Sequence, residues 1–167
     1  MSTRQRAEEQ TLIVPLARPW LISSLTLAAD QITKFLVAAS FAPGDSLPVI
    51  PPILHLTYVQ NTGAAFGLLR GHHAFFIVCS LLVIGWIIWE LRGKPSLDAS
   101  SRWGFALVLG GAAGNLVDRL RLGWVIDFID LRVWPVFNVG DTAITVGVTL
   151  LFLHRFLNRQ STIDNRK

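Results

Sequence analysis

Residues 74–91 read AFFIVCSLLVIGWIIWEL, a stretch whose one charged residue is Glu90. A helix crossing about 30 Å of hydrocarbon needs roughly 20 mostly apolar residues, so this stretch reads as a transmembrane helix. Three further segments approach the same length, at 20–39, 103–120 and 141–157. The expected fold is therefore an all-α membrane protein with four transmembrane helices, capped by a small extracytoplasmic β-sheet and a loop. Composition agrees, since 51% of the 167 residues are hydrophobic, 16% are charged and the mean hydropathy is +0.48. Such a chain is too apolar for an ordinary soluble domain. No second domain or internal repeat is visible, so residues 1–167 are expected to form one membrane-embedded unit.

Cationic residues set the expected orientation. Arg4, Arg6 and Arg18 precede the first span, Arg92, Lys94 and Arg102 join the second to the third, and Arg155, Arg159, Arg166 and Lys167 follow the fourth. These segments should face the cytoplasm, with both termini inside. The connections at 40–73, with Arg70 alone, and 121–140, with Arg121 and Arg132, then lie outside. Tryptophan placement follows: Trp20, Trp89 and Trp103 fall near the inner boundary, Trp124 and Trp134 in the outer connection. Indole rings favour the headgroup layer. The first span is too long and too interrupted for a signal-peptide core, and no small-residue cleavage site follows it, so it is expected to remain. In the first outer connection, Pro43-Gly44-Asp45, Pro48 and Pro51-Pro52 mark turns, and residues 54–58 alternate as a short strand does. A small sheet on the membrane surface is expected there.

Several classes are disfavoured. Cys79 is the single cysteine and lies in an apolar run, which leaves no intrachain disulfide or cysteine zinc site. His55, His72, His73 and His154 lack metal-ligand spacing and read as interfacial residues; no metal or cofactor is expected. The net charge of +4 is scattered between spans and lines no face, so nucleic acid is not an expected partner.

Polar residues inside apolar spans are costly and mark function. Asp30 and Lys34, spaced i and i+4, share a helix face and can pair. In the third span, Gly110-Gly111-Ala112-Ala113-Gly114 gives a nearly bare helix surface, for close helix packing or for lipid or peptide. Asn115 and Arg119 follow, again i and i+4, and Asp118 lies beside them. Asp45 and Asp130 read as solvated surface groups. Asp127 and Asp141 cannot share a helix face, because a connection containing Trp134-Pro135 separates them. A folded-back loop would bring them together, and two carboxylates at a low-dielectric boundary would then hold one proton between them. One carboxylate could take a proton from water while the acid polarises a scissile carbonyl.

Five strings in order, DQITK at 30–34, NTGAAF at 61–66, GGAAGNLVDR at 110–119, VIDFIDL at 125–131 and WPVFNVGD at 134–141, resemble lipoprotein signal peptidase (signal peptidase II). Together they reach from the first span to the fourth. The resemblance implies an aspartyl endopeptidase of the bacterial inner membrane that acts on a prolipoprotein with a diacylglyceryl cysteine, cutting immediately before that cysteine. It implies Asp127 and Asp141 as the catalytic pair. Asn61, Asn115, Arg119 and Asn138 take substrate-positioning or dyad-orienting places, and Asp30, Lys34 and Asp118 supporting ones. Prolipoprotein and membrane lipids are the expected partners, and a monomer is expected. Gly140 departs from the alanine usual in the family, which could loosen the start of the fourth span. An outward-facing dyad suits a substrate lipidated at the outer face, with the gaps between spans and the glycine-rich face of the third as lateral entry.

The competing reading is a small ion or proton-coupled transporter component with Asp30, Lys34, Asp118 and Arg119 as a relay. A non-catalytic scaffold is a third, and predicts tolerance of Asp127→Asn. Neither Gly-x-Ser-x-Gly nor His-Glu-x-x-His occurs in the chain. EDTA and serine-directed reagents are therefore expected to leave the cleavage rate unchanged in a purified assay.

Overall fold

A computed structural model describes residues 17–63, 71–93 and 97–164, with side chains described for 19–63, 71–93 and 97–156. In chain order the elements are α1 (Ala17–Ser40), β1 (Ser46–Ile50), β2 (Leu54–Asn61), α2 (His73–Gly93), α3 (Ala99–Leu122), β3 (Val125–Asp130) and α4 (Val139–Asp164). All four expected spans are helical, the helices running three to nine residues longer than the apolar stretches. By length and apolarity, Pro19–Ser40, His73–Gly93 and Val139–Phe156 qualify as membrane-crossing helices. Their outward faces carry Leu25, Phe35, Leu82, Trp86, Val148 and Phe152, all at least half exposed or nearly so. A chain with these faces is a multi-pass membrane protein.

The third span differs from expectation, because α3 does not reach that apolarity. The reason is its place: α1, α2 and α4 all pack against it, and most of its residues from Ser101 to Asp118 are buried. Lipid tails are as apolar as leucine, so helices in a bilayer associate through close packing, which small residues permit. Gly110 faces the Ser23 carbonyl and Thr26 of α1, Gly114 faces Asp30, Gly111 faces the Gly140 carbonyl, and Gly104 faces Gly147 and Leu151 of α4. The glycine-rich face is thus filled by neighbouring helices. The expectation that it admits substrate is corrected: backbone lies where substrate would have to go.

Against the other side of α3, Ile87 and Leu91 of α2 pack on Phe105, Val108 and Leu109, and Trp86 meets Phe105 edge-on at 5.5 Å. At its start, Asp98 caps the helix by accepting the Ser101 N–H at 2.9 Å. At its end, Gly123 turns the chain at φ 88° and donates to the Arg119 carbonyl. That abrupt stop places β3 two residues later.

The sheet is antiparallel with order β1-β2-β3. Its β1–β2 hairpin agrees with the strand expected in the first outer connection. The third strand differs from expectation, since the sequence predicts a folded-back loop around Asp127 and the chain forms β3 there. β3 pairs with β2 in a register that sets Val59 opposite Asp127 and Asn61 opposite Val125. Residues two apart on a strand share a face, so Asn61 and Asp127 lie diagonally on one side of the sheet. Val37 of α1, Tyr58, Ile126 and Phe128 form the core beneath it.

Of the cationic residues used for orientation, Arg4, Arg6, Arg70, Lys94, Arg166 and Lys167 lie outside the described residues, as do the side chains of Arg18 and Arg159. Residues 64–66 of the NTGAAF string also lie outside them.

Candidate active site

Asp127 stands in β3 and Asp141 in the first turn of α4. The loop between them folds back on the strand: Phe137 donates to the Ile129 carbonyl at 3.1 Å, and Ile129 and Phe128 donate to the Phe137 carbonyl. This return delivers Asn138 beside Asp127. Asn138 then caps α4, its Oδ1 accepting the Asp141 N–H at 2.8 Å while its own N–H reaches Asp141 Oδ2 at 3.3 Å. The exchange is a capping box written with Asn and Asp. Asn138 Nδ2 donates to Asp127 Oδ1 at 2.6 Å, so one fully buried side chain touches both aspartates.

The remaining carboxylate oxygens are also held. Asn61 Nδ2 donates to Asp127 Oδ2 at 2.9 Å, and Asn115 Nδ2 to Asp141 Oδ1 at 2.7 Å. Asp127 and Asp141 line a common cavity of about 590 Å³ with Asn61, Asn115, Arg119 and an apolar wall that includes Trp134, Phe137 and Ile144. The Arg119 guanidinium sits 5.0 Å over the ring of Phe76. The aromatic face steers the cation without using its N–H donors.

Behind the cavity lies a buried ionic cluster. Lys34 Nζ meets Asp30 Oδ2 at 2.8 Å, Asp118 Oδ2 at 3.0 Å and Asn115 Oδ1 at 2.8 Å. The expected Asp30–Lys34 pair is present, and Asp118 joins it. Gln31 was given no role from sequence, yet its Nε2 reaches Asp118 Oδ1 at 3.0 Å and the Gly114 carbonyl at 3.2 Å. An amide next to a charged residue within an apolar span was the signal available. Charges at this depth hold only when paired, and removing one partner typically costs about 3–5 kcal/mol.

Burial and the neighbouring Asp141 charge raise the Asp127 carboxyl to about 7, against the amide donors Asn61 and Asn138 and the positive charge of Lys34. Below that pH the buried acid keeps its proton; above it the proton leaves. Because this value exceeds the unfolded one, the corresponding stability is fully present below about pH 4 and is lost as pH rises through about 7.

Two readings need correction. Asp130 is not a solvated surface group: it is 6% exposed and accepts from Thr57 Oγ1 at 2.8 Å and from the Arg132 N–H at 2.8 Å. These bonds hold the turn where Arg132 adopts φ 65° at the start of the returning loop. Nor is the first turn of α4 loosened at Gly140, whose N–H donates to Asp30 Oδ1 at 2.8 Å. A Cβ there would come within 3.0 Å of Asp30 Oδ1 and the Gly111 carbonyl oxygen. His154 Nε2 pairs with Asp98 at 2.9 Å. Among the described residues no His, Cys, Asp and Glu cluster has the makings of a metal site.

Apolar-sheathed helices around a buried pair of hydrogen-bonded carboxyls, open to one cavity, define a multi-pass membrane enzyme. The chain belongs to the signal peptidase II family: residues 22–157 match the family described as Signal peptidase (SPase) II. It is similar to the lipoprotein signal peptidase of Moorella thermoacetica, 50% identical over 131 residues that cover 78% of this chain and 87% of the relative. The corresponding protein of Halothermothrix orenii is 40% identical over 138 residues, covering 81% and 92%. A solved structure described as a bacterial membrane enzyme superposes with a TM-score of 0.83 at 30% identity, covering 87% of this chain and 91% of that one. A second of the same description gives 0.76 at 32% identity, covering 83% and 92%. The protein is accordingly a protease, and the reaction its family membership supports is cleavage of prolipoprotein signal peptides. The transporter reading finds no support in these relationships.

Proposed function

We propose that the protein is an aspartic endopeptidase of the bacterial inner membrane, with Asp127 and Asp141 as its catalytic dyad. It cleaves the prolipoprotein immediately before the diacylglyceryl cysteine. The observation that carries this reading is the Asn138 side chain bonded to Asp127 Oδ1 and to the Asp141 N–H, which makes two residues from different elements one acid–base unit. With one proton shared, the ionised carboxylate takes a proton from water as the water attacks the scissile carbonyl. The protonated carboxyl donates to the carbonyl oxygen, and the pair returns a proton to the departing amine. Asn61, Asn115 and Asn138 hold the carboxyls in register. Arg119, with its donors free of the Phe76 ring, positions substrate carbonyls in the cavity.

Four membrane spans are part of the proposal. α3 has 24 residues, enough at about 1.5 Å per residue to cross the hydrocarbon, and being enclosed by the other helices it has little need of apolar side chains. Arg92, Arg102 and Arg155 near the helix ends opposite the sheet support cytoplasmic termini and a periplasmic site. The working unit is one chain, because the residues proposed for the dyad and its supports all come from it.

The test of substrate and bond is digestion of a diacylglyceryl-modified prolipoprotein in bilayers by the purified protein, with mass analysis of the product. A product beginning at the lipidated cysteine supports the proposal. Equal cutting of unlipidated substrate, or a different new N-terminus, would reject it. The pH dependence follows from the shared proton: kcat/KM should fall about tenfold per pH unit above roughly 7, where the dyad loses its acid. A profile flat to pH 9 would remove the general acid from the mechanism.

A further inference from the structure

The asparagine amides around the dyad can each be turned end for end in principle, yet the chemistry requires one sense. Asn115 must present its NH₂ to the Asp141 carboxylate, since its oxygen there would meet like charge. Asn138 Nδ2 also donates to Asn115 Oδ1, at 3.2 Å, its own sense set by the Asp141 N–H on its Oδ1 and the Ile126 carbonyl on its Nδ2. Lys34 is the closer donor to the same oxygen, and an ammonium has donors only. Its bond to Asn115 Oδ1 at 2.8 Å leaves Nδ2 facing Asp141.

Two further arms leave the same ammonium. Asp118, bonded to Lys34, accepts the Ile126 N–H at 3.1 Å, one residue before Asp127. Asp30, also bonded to Lys34, accepts the Gly140 N–H at 2.8 Å, one residue before Asp141. We infer that Lys34 is a positioning residue of the dyad, fixing the sense of the Asn115 amide and, through Asp30 and Asp118, the backbone immediately preceding each aspartate. The inference rests on the proposed assignment of Asp127 and Asp141 as the dyad.

Lys34 is 1% exposed, and of its hydrogen-bond and ion-pair partners among the described residues, Asp30, Asp118 and Asn115, Asn115 alone lines the cavity, so it acts through others. Its charge also reaches the chemistry. Among the described residues the charged groups that face it are Asp30 on its own helix, Asp118 on α3, Asp127 on β3 and Asp141 on α4, and Arg119 in turn faces Asp118, Asp127 and Asp141. Among them Lys34 favours the ionised form of Asp127.

The experiment measures kcat, KM and the pH profile for cleavage of a diacylglyceryl prolipoprotein in bilayers. It compares the wild type with Lys34→Met and with Lys34→Met/Asp30→Asn. The double variant leaves the net charge of the cluster unchanged and keeps an oxygen for the Gly140 N–H. The expected result is a fall in kcat of about ten- to a hundredfold in both, with KM within about twofold of wild type. In Lys34→Met the alkaline limb near pH 7 should also move up by about one pH unit. A purely structural ion pair would lower the amount of folded enzyme, scale the rate equally at every pH and leave the limb in place; that result overturns the inference. So does failure of the charge-balanced variant to fold, or a loss confined to KM. Parallel Asp127→Asn and Asp141→Asn reactions separate the two levels. Cleavage by either rejects the dyad itself, whereas inactive aspartate variants beside a fully active Lys34→Met reject the positioning role alone.

Discussion

Replacing Asp127 or Asp141 by asparagine is expected to lower kcat by at least about 10³-fold while the protein still folds and inserts. Asparagine keeps the outline of the carboxyl and one acceptor oxygen, so one of the two hydrogen bonds each aspartate accepts survives while the new NH₂ faces the other donor. What it lacks is the ability to take and return a proton. At position 141 the backbone N–H still bonds Asn138 Oδ1, which preserves the start of α4. Thermal unfolding in detergent, run beside the cleavage assay, separates lost chemistry from lost fold. An intact fold with near wild-type turnover in either variant contradicts the assignment of that residue.

Gly111→Ala should be nearly as severe by a different route. A Cβ at position 111 would fall on the Gly140 carbonyl oxygen, a backbone atom that cannot swing aside, with Ile144 Cγ1 at 3.0 Å behind it. Relief requires α3 and α4 to separate, at a typical overpacking cost of about 1–3 kcal/mol. Gly140 adjoins Asp141, so the separation displaces one carboxyl from its partners on α3. A lowered unfolding temperature together with a loss of kcat of about a hundredfold is expected. Unchanged activity would show that the dyad tolerates movement of α4.

Apolarity and i, i+4 spacing made most of the fold legible in the sequence. Residues 74–91 announced α2, and Asp30 with Lys34 announced a buried pair, because in an apolar span such a pair has few other partners. The standing of α3 was harder to read. A helix enclosed by three others needs small residues more than apolar ones, and Gly104, Gly110, Gly111 and Gly114 serve there where leucine would not fit. β3 was missed for another reason. VIDFID lacks strict alternation, and its partner strand ends at Asn61, far back in the chain. Without that pairing Asp130 looked like surface and the nearness of Asn61 to Asp127 had no geometric basis. The role of Asn138 was likewise invisible as geometry until Phe137 paired with Ile129. The cluster of Asn115, Asp118 and Lys34 depends on α1 meeting α3 at Gly110 and Gly114, a contact that local spacing does not specify.

The central claim is that Asp127 and Asp141 act as one unit. The most direct measurement is a double-mutant cycle: kcat/KM for Asp127→Asn, Asp141→Asn and the doubly substituted protein, on one lipidated prolipoprotein in one bilayer preparation. If the two carboxyls share a proton and a reaction, removing the second after the first costs little more. The account predicts that the double variant lies within about threefold of the slower single variant. Losses that instead multiply, to about 10⁶-fold from two of about 10³-fold, would contradict it and assign the aspartates to separate tasks.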